Sequence, residues 1–503
     1  MKIDSVSRIS DLVKKVLHTG AVHRRRLLWS ALPAFLAGIW FVLHGSAQVA
    51  VRNQGYVPFS DAPINYRSED LHDPVAILQK ELEQGSASLQ YEPEHGYLRS
   101  VLQLLKVPID SQTLVFSKTS FQYKKISPDH PRALYFNDDV YVGSVHEGKA
   151  IEIVSFDPKQ GAIFYLLDEN KADKPVFQRA ELDCTQCHIA AGTRGVPGVL
   201  LRSIYPTATG TQAPGTPTYI TDQDSAFSER WGGWYVTGRL GHLVSMSDAT
   251  APDSPTSLDP QGTTSTPYGS ARLVKFLESY DPSSYLIPDS DVVAQLVLGH
   301  QTQMHNLITL TNYKTRLALY DQANQNKAAN LPANTPLSED ERWKFERPAE
   351  QLLRYLLFVN EASLASPDQE VISGSSTFAR TFTSRGVRDA KGRSLRDFDL
   401  RTRIFKYPCS YLIYSESFDQ IPEPAKGYIY HRLLEVLNGQ DHSADFAKIP
   451  AESKRAILEI LLATKPGLPA EWSDYARANH LYVAAARPQH GNESLNAQEK
   501  SQN

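Results

Sequence analysis

The chain has 503 residues, 41% of them hydrophobic and 21% charged, a balance that excludes overall disorder and leaves ample material for a buried core. A formal charge of −4 excludes a globally basic nucleic-acid binder, so no nucleic-acid partner is expected, and three cysteines exclude a disulfide framework. At roughly 150 residues per domain, the length suggests about three domain-sized units.

Residues 1–26 are polar and basic and end in Arg24, Arg25 and Arg26. Residues 27–43 form an uncharged apolar run that includes Leu27, Trp29, Phe35, Ile39, Trp40 and Leu43. A basic stretch before an apolar one is a targeting pattern, and Gly45, Ser46 and Ala47 suit cleavage before Gln48. A run of seventeen residues is at the short edge of the roughly 17–25 that span a bilayer. Residues 1–47 therefore read as a signal peptide or an uncleaved anchor. The long basic stretch favours the anchor, with its N-terminus in the cytoplasm. A buried core helix and a twin-arginine signal fit the segment less well. This places the body in a bacterial periplasm, tethered to the inner membrane by residues 27–43. Taking seven basic and two acidic residues out of the net −4 leaves the exported body at −9. That charge serves solubility and favours basic partners if it steers encounters at all.

Residues 48–72 read as an extended linker. Helices are predicted over 73–84, with Asp73 capping and Pro74 at the first position, and over 94–105. The pattern then turns to strands. Tyr141 to Val145, Ile151 to Phe156 and Ala162 to Leu167 are separated by Glu147-Gly148-Lys149 and by 157–161, which is turn chemistry and predicts an antiparallel meander. Residues 206–219 and 247–268 read as surface loops, 289–320 as a long helix and 322–337 as a linker. Further helices are predicted over 338–364, 425–438 and 451–464, and a disordered tail over 486–503. The expected fold class is α+β, mostly α. A helical body over 73–321 would carry the cofactor, with the β meander inserted ahead of it, and 338–485 would be a helical C-terminal region.

The specific motif is Cys184-Thr185-Gln186-Cys187-His188. C-x-x-C-H is the attachment sequence for haem c. Two thiols three residues apart on a helical turn can each form a thioether with one haem vinyl group, and the following His188 then offers its imidazole to the iron as proximal ligand. A thioredoxin-type pair would need a βαβ setting, and a structural zinc site needs four ligands where only Cys409 remains. Attachment outside the bacterial cytoplasm agrees with the export segment. Because the apoprotein should cross unfolded, it also argues against the twin-arginine reading. The expected cofactor is one covalent haem c.

Distal ligands are sought among few residues. Met304 and His300 lie four apart on the long helix, on one face with Val293, Val297 and Ile308, while His305 lies about 100° around. The competing reading makes Met304 core filler and His300 a hydrogen-bonded core histidine. Met246 and His242 are further candidates. Arg194 and Arg202 flank Gly195-Val196-Pro197-Gly198 and are candidates to pair with a haem propionate; the competing reading is ordinary surface arginines. Arg230-Trp231-Gly232-Gly233-Trp234-Tyr235 either lines a haem edge or packs in a tight turn. Asn137-Asp138-Asp139 reads as a solvated turn more readily than as an acid–base pair or a cation site, and Cys409 as a buried thiol.

The attachment motif with its export segment resembles bacterial exported c-type cytochromes. The strings from Tyr135 to Gly143, Arg230 to Gly238 and Ser290 to Thr309 resemble a poorly characterised group of monohaem cytochrome c domain-containing proteins, over about 130–320, with Arg401 to Glu416 as an extension. The resemblance implies electron transfer with a redox partner protein. A haem enzyme or haem sensor with an open distal site is the alternative.

Overall fold

The computed structural model describes residues 57–68, 70–250, 280–365 and 370–481. The apolar run at 27–43, the tail at 486–503 and most of the loop at 247–268 lie outside the described residues. Among the described residues no helix is long and apolar enough to cross a membrane.

Among the described residues two short helices come first, α1 (Pro74–Glu83) and α2 (Leu98–Leu104). Asp73 caps α1 by accepting the Val75 and Ala76 amides, and its second oxygen accepts the Tyr165 hydroxyl at 2.8 Å. Then follow β1 (Thr113–Val115), β2 (Arg132–Phe136), β3 (Val140–Ser144), β4 (Ala150–Asp157), β5 (Gly161–Asp168) and β6 (Phe177–Arg179). The motif helix is α3 (Glu181–His188). A small pair, β7 (Arg202–Ile204) and β8 (Thr218–Ile220), precedes β9 (Trp234–Tyr235). The elements that follow are helices joined by irregular segments: α4 (Val292–Ala328), α5 (Glu339–Leu356), α6 (Phe378–Ser384), α7 (Glu416–Asp419), α8 (Glu423–Leu437), α9 (Ala451–Thr464) and α10 (Ala470–Ala478).

The predicted meander is present as β3–β4–β5, within an antiparallel seven-stranded sheet of order β6-β5-β4-β3-β2-β1-β9. The β4–β5 turn is closed by Asp157, whose carboxylate accepts the Lys159 and Gln160 amides at 2.8 Å each. Gly161 completes that turn with φ +74°, and a Cβ there would lie 2.5 Å from Thr309 of α4. A side chain at 161 would therefore hold the long helix off the sheet.

The expectation of a mostly helical chain is corrected: 38% of the structure is helical and 13% strand, and the sheet is its organising layer. Strand alternation sends Ile151, Ile153, Ile163 and Tyr165 to one face, where α1, α2 and the segment from Val57 to Leu71 cover them. Phe156, Ala162 and Phe164 point to the other face, against α4 and the C-terminal helices. The stretch read as a linker at 48–72 is packed where described. Val57, Ile64 and Tyr66 are buried, and the Tyr66 hydroxyl donates to the Ala162 carbonyl at 2.7 Å. Likewise, of the linker read at 322–337, residues up to Ala328 continue α4, and Ser338 donates its amide to Gln322 at 2.8 Å. Proline and aspartate in the first stretch and polar residues in the second made them look loop-like, and their partners lie far away or across a hairpin.

Candidate functional site

The motif helix α3 follows edge strand β6, and the Ala180 amide at its N-cap donates to the Phe164 carbonyl of β5 at 2.9 Å. Cys184 and His188 stand four residues apart on one face, with Cys187 a residue away. Cys184 is partly buried against the core and Cys187 is exposed. The His188 ring packs on Phe164 with centroids 5.0 Å apart. Its Nδ1 lies 2.9 Å from the Gly198 carbonyl, which fixes Nδ1 as the protonated nitrogen. Nε2 makes no hydrogen bond among the described residues. Burial lowers the imidazole pKa below its ordinary value, so His188 is neutral near pH 7 and able to donate its Nε2 lone pair.

Beside His188, one face of the sheet is only partly covered. Register aligns Leu134, Gly143, Glu152 and Leu166 in a row across four strands, and the side chains in this row are half-buried. The adjacent row runs Phe136, Tyr141, Val154 and Phe164 and ends under His188. Arg132 donates to Glu152 at 2.6 Å, while its Nε is buried without a partner. Glu152 also accepts Ser120 at 2.6 Å and Gln122 at 2.9 Å. Arg132, Glu152 and Arg202 all lie close enough to act on the His188 proton. Half-buried Leu134 and Leu166 with Glu152 between them, an orphaned cationic N–H on Arg132 and a neutral imidazole with a free lone pair are the groups this edge offers to a haem ring, a propionate and an iron. Among the described residues no three His, Cys, Asp or Glu side chains converge to hold a metal ion.

The loop after α3 is clamped to α4. Asn306 accepts the Val199 amide at 3.1 Å and donates to the Val199 carbonyl at 2.7 Å. Gln303 donates to the Gly192 carbonyl at 2.8 Å. Gly198 lies so close that a Cβ would sit 2.1 Å from Asn306 Oδ1. The polar face of α4 thus positions the carbonyl that holds His188.

This changes the reading of the distal candidates. His300 is fully buried, with Nδ1 2.6 Å from Gln223 and Nε2 2.8 Å from Ser410, and it stacks on Phe358 and Tyr355. Both nitrogens are engaged and burial lowers its pKa to about 3, so it is the hydrogen-bonded core histidine. Met304 has no exposed surface and packs in the core. Met246 is buried and takes a hydrogen bond from Ser203 at 3.8 Å. His242 is exposed on a loop. Among the described residues no contact brings any of the four to Nε2 of His188.

The arginines separate. Arg202 is exposed at the start of β7, near His188. Arg194 turns inward, donating to Gln303 at 3.3 Å. The Trp231–Tyr235 segment is core: all three aromatic rings are buried, and the Trp234 indole donates to the Arg202 carbonyl at 2.9 Å. Cys409 is buried and in no disulfide. The sequence reading missed Arg132, Glu152 and Asn306. A charged residue within the otherwise apolar run of β4 was the available signal for Glu152; nothing local marked the other two.

No family model, curated protein or solved structure matches this chain.

Proposed function

We propose that the chain is an exported c-type haem protein holding one covalent haem through Cys184 and Cys187, with His188 as proximal ligand, and that it serves electron transfer with a redox partner. The observation that carries this is the His188 Nδ1 contact with the Gly198 carbonyl. A metal-binding histidine typically donates its second ring nitrogen to a carbonyl or carboxylate, which fixes the tautomer and aims the other nitrogen. When bound, the haem supplies a one-electron iron couple. Around it, Leu134, Val154 and Leu166 exclude water from one face, and Arg132 and Arg202 offer guanidinium groups to propionates. Exposed Cys187 keeps the attachment edge at the surface, within reach of a partner. The N-terminal segment would deliver the chain to the periplasm and, if uncleaved, tether it to the membrane.

A second reading, a haem enzyme or sensor with an open sixth position, is favoured by the engagement of His300 and the burial of Met304 and Met246. Spectra of exported protein, oxidised, reduced and with CO, separate the two: a CO-induced change in the reduced spectrum supports the open site. Replacing Cys184 and Cys187 together with Ala should abolish haem staining on a denaturing gel. Unchanged staining would refute the haem assignment.

A further inference from the structure

A second polar cluster lies away from the motif helix, and the haem reading does not use it. The turn between β2 and β3 meets the segments around Arg385–Arg396 and Tyr411–Glu416. Between them is a cavity of about 270 Å³ whose lining includes Asp138, Asp139, Arg385, Arg396 and Glu416. Arg396 is 8% exposed, and its guanidinium sits between two rings, 4.6 Å from the Phe382 centroid and 4.3 Å from that of Tyr411. One of its nitrogens is paired with Asp138 Oδ2. Its other terminal nitrogen, Nη1, and Asp138 Oδ1 are both buried without partners. Arg385 lies over Phe382 at 5.7 Å and makes no ion pair among the described residues. Asp139 uses its backbone to bond Asn137 and Phe156, while its carboxyl makes no hydrogen bond among the described residues. Glu416 is exposed at the mouth.

An orphaned donor and an orphaned acceptor, buried on side chains that line one small cavity, call for a ligand carrying both complements. A simple anion would satisfy the arginines but meet three carboxyl groups, and a simple cation would meet two guanidinium groups. The volume lies below the roughly 300–1,000 Å³ of drug-sized sites, so the ligand is small. We propose that this cavity binds a small zwitterion bearing a carboxylate and an ammonium group, a free α-amino acid being the simplest. The carboxylate would take Arg396 Nη1 and Arg385, and the ammonium would take Asp138 Oδ1, Asp139 and Glu416.

The test is titration calorimetry on the purified exported chain with glycine, alanine, glutamate and lysine, with acetate and methylamine as single-charge controls. At least one amino acid should bind, and each control should bind at least about tenfold more weakly. Arg385→Gln and Asp139→Asn should each weaken binding by about tenfold or more, with unchanged circular dichroism. Glu416→Gln, at the exposed mouth where folding is not at stake, should also weaken it and stands in if either of the others unfolds. Absence of binding by all four amino acids at about 10 mM overturns the proposal, since a millimolar site is then mostly filled. So does an affinity that any folded variant leaves unchanged, or equal binding by acetate or methylamine. Haem staining is independent of all these outcomes.

Discussion

Asn306 is the residue through which α4 holds the His188 loop, and Asn306→Ala tests that role. The side chain makes two hydrogen bonds to one residue, with the Val199 amide at 3.1 Å and carbonyl at 2.7 Å, both in the interior. Truncation leaves a buried N–H and a buried C=O without partners, at about 1–3 kcal/mol each. Some relaxation of the loop offsets part of this, so a loss of about 2–4 kcal/mol is expected in urea unfolding. The neighbouring Gly198 carbonyl, 2.9 Å from His188 Nδ1, should loosen with it. In haem-loaded protein the less basic imidazole would donate less charge to iron, and the reduction potential should rise. Asn312→Ala is the control, because Asn312 lies on the same helix but donates to the Gln420 carbonyl at 3.0 Å, away from the loop. It should lower stability and leave the potential unchanged. If Asn306→Ala stays within about 0.5 kcal/mol of the parent, or if Asn312→Ala moves the potential equally, the clamp is not what positions His188.

Gly198→Ala should destabilise by about 1–3 kcal/mol or more in the same unfolding assay, because the added methyl meets Asn306 at 2.1 Å. Met304→Leu should cost less than about 1.5 kcal/mol and leave the reduced optical spectrum unaltered; an altered spectrum would return Met304 to the iron. Arg132→Gln should lower the reduction potential of loaded protein, since removing a nearby cation favours the oxidised iron, as spectroelectrochemical titration would show. Stability should fall on acidification between about pH 6.5 and pH 3–4. There the unfolded chain protonates His300 and His305 while burial lowers their folded values to about 3 and about 4. Asp139 acts oppositely: burial raises it to about 7, so the folded state binds the extra proton and its contribution is lost as pH rises from about 4 to 7. Asp139→Asn should therefore gain stability relative to the parent across that window in pH-dependent unfolding, and a constant difference would contradict the assignment.

Local chemistry in the sequence was enough for the elements whose signals are local. Turn residues at 157–161 and apolar runs marked the meander, and Asp73-Pro74 marked the start of α1. The spacing of Cys184, Cys187 and His188 is equally local, because the attachment chemistry spans a single helical turn. Strands of two or three residues, such as β1, β6 and β9, carry no period to read and exist only because a neighbour pairs with them. The polar face of α4 misled for a related reason. Its glutamines, histidines and asparagine resemble a ligand-bearing surface, but they bond backbone and side-chain groups supplied by distant segments.

What the sequence determined by itself was the pair of thiols, the adjacent imidazole and the meander. Tertiary structure alone decided which carbonyl orients His188, which arginines stand near it and which histidine is walled into the core. Those choices depend on contacts such as Asn306 with Val199, 107 residues apart, and His300 with Ser410, 110 apart. Hydrogen bonds across such separations form only once the sheet and α4 have packed, so no local pattern encodes them.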